Sequence, residues 1–308
     1  MILPPLRFSR KQKFAARDFL CYRSGMALTV FTYHRVLPKP HPDALSIDVF
    51  ERQLDYIQKH FEVLTPEEAA DFIAGKFPRS RGRFAMLSFD DGWLDNWLYA
   101  TPILKRRGLR AALALSSGFL HDGALRERAE DVPAEIVERR NLDAEKLAPE
   151  GDTLSYLSRA EVRAMHDSGC WAIEAHGTRH LKNDREISSI AAPAKNVSAE
   201  DFEKFLRADL QNCIDEISSI TGRAPQMMFW PWGHYSDASV RIVKSLGFVA
   251  QFTTAKGSVA YADSRDILPR LNAAAKWKKF TRNTFIFCRP WLSRLHDIVA
   301  HTETLRKV

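Results

Sequence analysis

Short apolar runs alternate with amphipathic stretches along most of this chain, and no other feature narrows its fold as far. The runs are Ala27–Tyr33, Phe61–Leu64, Phe84–Phe89, Ala111–Leu115, Trp171–Ala175, Met227–Pro231, Phe248–Thr253 and Ile267–Arg270. Runs of this length and character read as buried strands. Helical signatures lie between them. Ile47, Phe50, Leu54, Ile57 and Phe61 recur at helical spacing. Thr65-Pro66-Glu67-Glu68 is a capping box with proline at the first helical position, opening a helix to about Ala74. Further helices are predicted from Trp93 to Arg107, ended by Gly108, from a cap at Ser158, from Ser198 to Thr221 and from Ser236 to Leu246. Repeated βα units build a parallel sheet with helices outside it. The predicted fold class is therefore α/β: a distorted (β/α) barrel of parallel strands with outer helices.

The predicted organisation is a basic N-terminal segment over 1–25, a barrel domain over 26–275 and a basic, helical C-terminal extension over 276–308. Two stretches break the alternation, about 121–152 and 182–196. Both exceed an ordinary connection, so they read as inserts that shape a substrate groove.

Catalytic chemistry is concentrated at strand ends, where such folds place their sites. Asp90 and Asp91 close the run Phe84–Phe89. Two adjacent carboxylates on a strand point in different directions, so one can bind a metal while the other acts as a base. His176 and His180 follow the run Trp171–Ala175, and two histidines four apart can converge on one ion. Asp91 with these two histidines is a ligand set that leaves positions open for water and substrate, the mark of a catalytic metal site. The Pro231-Trp232-Gly233 turn, Arg270 and His34 also end predicted strands. Plainer readings stand beside these. An Asp-Gly pair can be only a turn, the histidines can be surface residues, and His34 can be structural. Trp230 and Trp232 can be core, and Arg270 can pair with Asp266.

Bulk properties exclude several classes. The chain of 308 residues is 45% hydrophobic and 27% charged, enough for a large core and too apolar for a disordered chain. Cys21, Cys170, Cys213 and Cys288 have neither metal-site spacing nor a disulfide framework, and read as free thiols. The basic first 25 residues lack an apolar signal core, and no stretch is long and apolar enough to span a membrane. The expected location is cytoplasmic. The net charge of +7 is weighted to the two ends. With its interleaved aromatics, the N-terminal end either lies on an anionic membrane surface or packs as a solvated helix. No nucleic-acid motif accompanies the charge, so nucleic acid is not an expected partner.

Four stretches resemble a known family. They are Tyr33-His34-Arg35-Val36, Ser88-Phe89-Asp90-Asp91-Gly92, His176 to His180, and Phe229-Trp230-Pro231-Trp232-Gly233. Together they resemble polysaccharide deacetylases of the NodB-homology type (carbohydrate esterase family 4), and most the bacterial poly-N-acetylglucosamine deacetylase branch. The resemblance implies a distorted barrel and a divalent metal, zinc before cobalt or nickel. It also implies metal-dependent hydrolysis of an N-acetyl group on an amino sugar. It assigns Asp91, His176 and His180 to the metal and Asp90 to the role of base. Trp232 would help bind the oxyanion, and Trp230 and Pro231 would form the substrate turn with it. Phe229 stands where many members carry an arginine that orients the base, and Arg270 is the expected replacement. The family's late Leu-x-His acid has no clear counterpart, since Leu295-His296 lies close to the C-terminus; His34 is the better placed histidine. The expected substrate is an N-acetylated glycan or its nucleotide- or lipid-linked precursor. The alternatives are a non-catalytic glycan-binding protein on the same barrel and an amidase for a small non-sugar amide.

Overall fold

The computed structural model describes residues 26–78, 81–128, 130–131, 155–182 and 188–293. Its centre is a curled, largely parallel sheet. The strands are β1 (Met26–Tyr33), β4 (Glu62–Val63), β5 (Gly82–Asp91), β6 (Ala111–Leu115), β7 (Trp171–Ala175), β8 (Met227–Phe229), β9 (Ala250–Phe252), β10 (Val259–Ala260) and β11 (Leu271–Asn272). β1, β5, β6, β7, β8 and β9 lie side by side, all parallel. β10 pairs antiparallel with the start of β1, and β11 pairs parallel with its end. A separate ribbon joins β2 (Val36–Leu37) to β3 (Leu45–Ser46).

A short segment closes the curl. Leu268 bridges Phe252 on β9, and three residues later Leu271 pairs with Phe31 on β1. The sequence places a last strand at Ile267–Arg270; the regular pairing instead falls at Leu271–Asn272. The segment changes partner midway, so no apolar run long enough to mark it is needed.

Alternation sorts the side chains into two layers. Phe31, Leu87, Phe89, Leu113, Trp171 and Ile173 point outward and pack under helices. Those helices include α1 (Ile47–His60), α4 (Arg159–Asp167), α5 (Ala199–Thr221) and α6 (Asp237–Ser245). Val30, Met86, Ala112, Ala114, Phe229 and Phe252 form the inner set. α2 (Pro66–Ile73) joins that set at the N-terminal end of β5, where Phe72 lies 5.5 Å from Phe84. The opposite, C-terminal end of the strands carries Asp90 and Asp91.

The helix after β5 departs from expectation. It opens as a π-helical turn, Asn96–Ala100, before α3 (Thr101–Arg106). α7 (Trp277–Phe287) buries Phe280 and Phe287 in the outer core, with Phe280 5.9 Å from Phe31. Most of the insert at 121–152, the basic N-terminal segment 1–25 and residues 294–308, His296 among them, fall outside the described residues. Among the described residues, no helix is long and apolar enough to cross a membrane.

Candidate metal centre and active site

β5 ends abruptly. Asp91 has φ 79° and Gly92 φ 90°, so the chain turns through left-handed backbone as it leaves the sheet. That conformation is uncommon for a residue with a Cβ, and such residues cluster at functional sites. It sends the two carboxylates to different partners.

Asp91 faces the histidines. Its Oδ1 lies 3.4 Å from His176 Nε2 and 3.2 Å from His180 Nε2. One ligand atom from each of the three residues lies within 4.8 Å of the others. Trp93 Nε1 donates to Asp91 Oδ2 at 2.9 Å, which leaves Oδ1 as the free oxygen. Oδ1 is buried and accepts no hydrogen bond among the described residues. Such an orphan is costly unless a ligand satisfies it. His176 is oriented by Phe229 O, 2.6 Å from Nδ1. With the proton on Nδ1, the lone pair of Nε2 turns toward Asp91, a common arrangement behind metal ligands. Burial alone would push the Asp91 carboxyl up, but contact with His176 and His180 holds it well below its usual range. Two imidazoles and an unsatisfied carboxylate oxygen fit a divalent cation.

His180 depends on a loop held from α5. Asp209, 3% exposed, accepts from Thr178 N at 2.8 Å and Arg179 N at 3.2 Å. Gly177 begins the loop with φ 81°, and a Cβ there would come within 2.9 Å of Ile190 and 3.3 Å of Asp209. Glycine therefore suits this backbone.

Asp90 faces the barrel interior. Arg270 grips it bidentately, Nη1 to Oδ1 at 2.7 Å and Nη2 to Oδ2 at 2.8 Å. Arg270 is 1% exposed, donates its Nε to Thr253 O and lies 5.0 Å over the Phe229 ring. Asp266, the other partner considered for Arg270, pairs with Lys244 instead. Burial would raise the Asp90 carboxyl, but the Arg270 charge, with His176 and His34 and the Arg270 hydrogen bonds, holds it below its ordinary value. His34 Nε2 lies 3.9 Å from Asp90 Oδ2, at the mouth of the site.

The 230–233 turn divides its aromatics. Trp232, φ 58° and 47% exposed, places its ring 5.4 Å from His180. Trp230 is fully buried in the outer core and cannot touch a substrate, which corrects its place in the substrate turn. The reason is parity: Phe229 faces inward, so Trp230 faces the helices. Pro231 is buried as well and shapes the turn rather than lining the site.

Other contributors have no motif in the sequence. Trp93 stacks on Tyr156 at 4.5 Å, and Tyr156 meets Phe119 at 4.3 Å, forming an aromatic wall beside His180. In the π-helical turn, Asn96 Nδ2 donates to His34 O at 2.8 Å. The neighbouring Asp95 accepts from Val36 N and Arg35 Nε. Burial pushes the Asp95 carboxyl up despite Arg35. This pair fixes the loop that carries His34.

Known proteins resemble this chain in sequence and in fold. The family model described as polysaccharide deacetylase matches residues 78–250. A poly-beta-1,6-N-acetyl-D-glucosamine N-deacetylase of Staphylococcus aureus (strain MRSA252) is 22% identical over 274 residues, covering 87% of this chain and 81% of that protein. Among solved structures, IcaB from Ammonifex degensii superposes with a TM-score of 0.66 at 21% identity, over 85% of this chain and 97% of that one. A de-N-acetylase from Aggregatibacter actinomycetemcomitans gives 0.64 at 20% identity, over 83% and 99%. At these identities the structures speak for the fold: a curled parallel sheet wrapped in helices.

Proposed function

Because the chain belongs to the polysaccharide deacetylase family, we propose that this site removes the N-acetyl group from an amino sugar in a glycan or glycan precursor, with zinc as the preferred ion. The chain is a hydrolytic carbohydrate N-deacetylase, and metal dependence is typical of its family. The observation that carries the residue assignment is the division of labour at the end of β5. Asp91 turns an unsatisfied oxygen to two histidines, while Asp90, one residue earlier, is gripped by a buried arginine.

Asp91, His176 and His180 would hold the ion. When bound, a divalent metal polarises the acetamide carbonyl and lowers the pKa of its water toward about 7. Asp90 accepts the proton of the attacking water at a carboxylate oxygen. Each of its oxygens keeps one lone pair beyond the Arg270 bond, so the grip orients the base without consuming it. The Trp232 backbone N–H, carried on the left-handed turn, serves the developing oxyanion, a role in which one donor contributes about 3 kcal/mol. Asp90 then returns its proton to the leaving amine, with His34 beside it. The Trp232 ring offers the sugar an apolar face. A nucleotide- or lipid-linked amino sugar is the finer reading of the substrate.

Acetate release, with bound metal counted in the same sample, tests this reading. A panel of N-acetylated oligosaccharides, nucleotide sugars and lipid-linked sugars should contain a substrate whose cleavage needs the ion. His176→Ala should lose both metal and activity. Wild-type protein that takes up no zinc or cobalt would overturn the ligand assignment and favour a glycan-binding role.

A further inference from the structure

Beside the metal ligands lies a cavity of ≈ 780 Å³ with a one-sided charge. Lys182, Lys256 and Lys279 line it from three separate segments, and Asp43 is the one carboxylate among its lining residues. Lys182 lies 5.3 Å over the Trp232 ring and Lys256 5.5 Å from the Phe287 ring. None of the three has a carboxylate partner among the described residues, whereas Lys204 and Lys244 on the outer surface are paired. Arg35, also in the lining, is engaged by Asp95.

Two features of α7 point the same way. Lys279 stands in its first turn, which contains no acidic residue, and Lys276 at the cap makes no side-chain hydrogen bond to it. The positive end of the helix is thus uncompensated. One turn on, Asn283 is only 5% exposed, lines the cavity and makes no side-chain hydrogen bond among the described residues. Its amide is therefore available to a ligand that enters the cavity.

The cavity adjoins the reaction centre. It shares His34, 3.9 Å from Asp90, and Trp232, 5.4 Å from His180. We infer that it is a phosphoryl subsite, and that the amino sugar whose acetamide meets His176 and His180 carries a phosphate or pyrophosphate bound by Lys182, Lys256, Lys279 and Asn283. Lysines from several directions and a helix N-terminus suit a tetrahedral group with several oxygens. A planar carboxylate is better matched by an arginine fork, and Arg35, the arginine in the lining, already commits its Nε to Asp95. The inference rests on the deacetylase reading above. The phosphoryl group can belong to a nucleotide or to a lipid pyrophosphate.

The test compares four substrates on the metal-loaded full chain: UDP-N-acetylglucosamine, a lipid-pyrophosphate-linked N-acetylglucosamine, a neutral N-acetylglucosamine trisaccharide, and an oligosaccharide with a uronate beside the amino sugar. At least one phosphoryl substrate should exceed the neutral one in kcat/KM by about tenfold, and the better of the two names the source. Lys256→Gln with Lys279→Gln should cut that ratio about tenfold, mainly through KM, whereas Lys204→Gln should leave it unchanged. Calorimetric titration with inorganic phosphate should show binding that weakens in the double variant. Preference for the uronate would overturn the phosphoryl assignment. Equal rates on charged and neutral substrates, with no lysine-dependent phosphate binding, would overturn the subsite and leave the deacetylase intact. Phosphate binding that depends on the lysines, with acetate released from no substrate, would uphold the subsite and overturn the deacetylase reading.

Discussion

At the scale of single residues, Asp90 and Arg270 form one chemical unit. Arg270→Met would leave a buried carboxylate without its cation, at a cost of about 3–5 kcal/mol in stability. The sign of the pH effect follows from the grip. Arg270 holds the Asp90 carboxyl below its ordinary value against the upward push of burial. A depressed carboxyl adds stability above its unfolded pKa, and that contribution is lost as pH falls through the lower folded value. Without Arg270 the folded value rises, so the acid limb of the rate–pH profile should move to higher pH. Arg270→Lys restores charge but not the fork, and should lie between the two. A profile unchanged in Arg270→Met would show that the arginine does not tune the base. Asp90→Asn makes the complementary case. It should keep the metal and lose acetate release, and retained release would refute Asp90 as the base.

At the scale of elements, helices outside the barrel hold the reactive loops. Asp209 on α5 accepts two backbone N–H groups from the loop that ends in His180. Asp209→Ala should weaken zinc binding about 10–100-fold, as loss of outer support does at other metal sites. Competitive zinc titration reads this, with circular dichroism confirming the fold; wild-type affinity in the variant would mean that the loop holds itself. The π-helical turn does similar work for His34 through Asn96. Asn96→Ala should lower kcat for acetate release with little change in zinc affinity. An equal loss of both would point to general unfolding instead. These supports explain what the sequence could and could not yield. Asp90, Asp91 and the histidines stand at the ends of apolar runs, where strand order alone brings them together. Asp209 is one acid among several along an amphipathic helix, and its partners lie about thirty residues away. The π-helical turn arises where the Asn96 carbonyl accepts from Thr101 Oγ1, and no periodicity in the apolar residues announces it.

At the scale of the whole molecule, the alternation of strands and helices predicted a barrel because each run had length enough for only one role. Closure was less legible, since the segment Leu268–Asn272 divides its pairing between two strands. The same segment carries Arg270, so closing the barrel also delivers the partner of Asp90 to the interior. The assignment of Trp230 to the substrate failed for a related reason: which face a residue takes depends on register, and three-residue β8 is too short to reveal it. A metal held by Asp91 and the two histidines joins β5 to the loop after β7, so its binding energy should appear as stability of the entire fold. At a free concentration of zinc 100 times its Kd, linkage contributes about 2.7 kcal/mol. For a chain of this size that corresponds to a rise in Tm of about 4 °C over the chelated protein. His176→Ala should show no such rise, because one of three ligands is gone. Wild-type protein with the same Tm in zinc and in chelator would mean that the cluster does not bind the ion in the folded state, and the base, the oxyanion turn and the arginine grip would then need another reaction to serve.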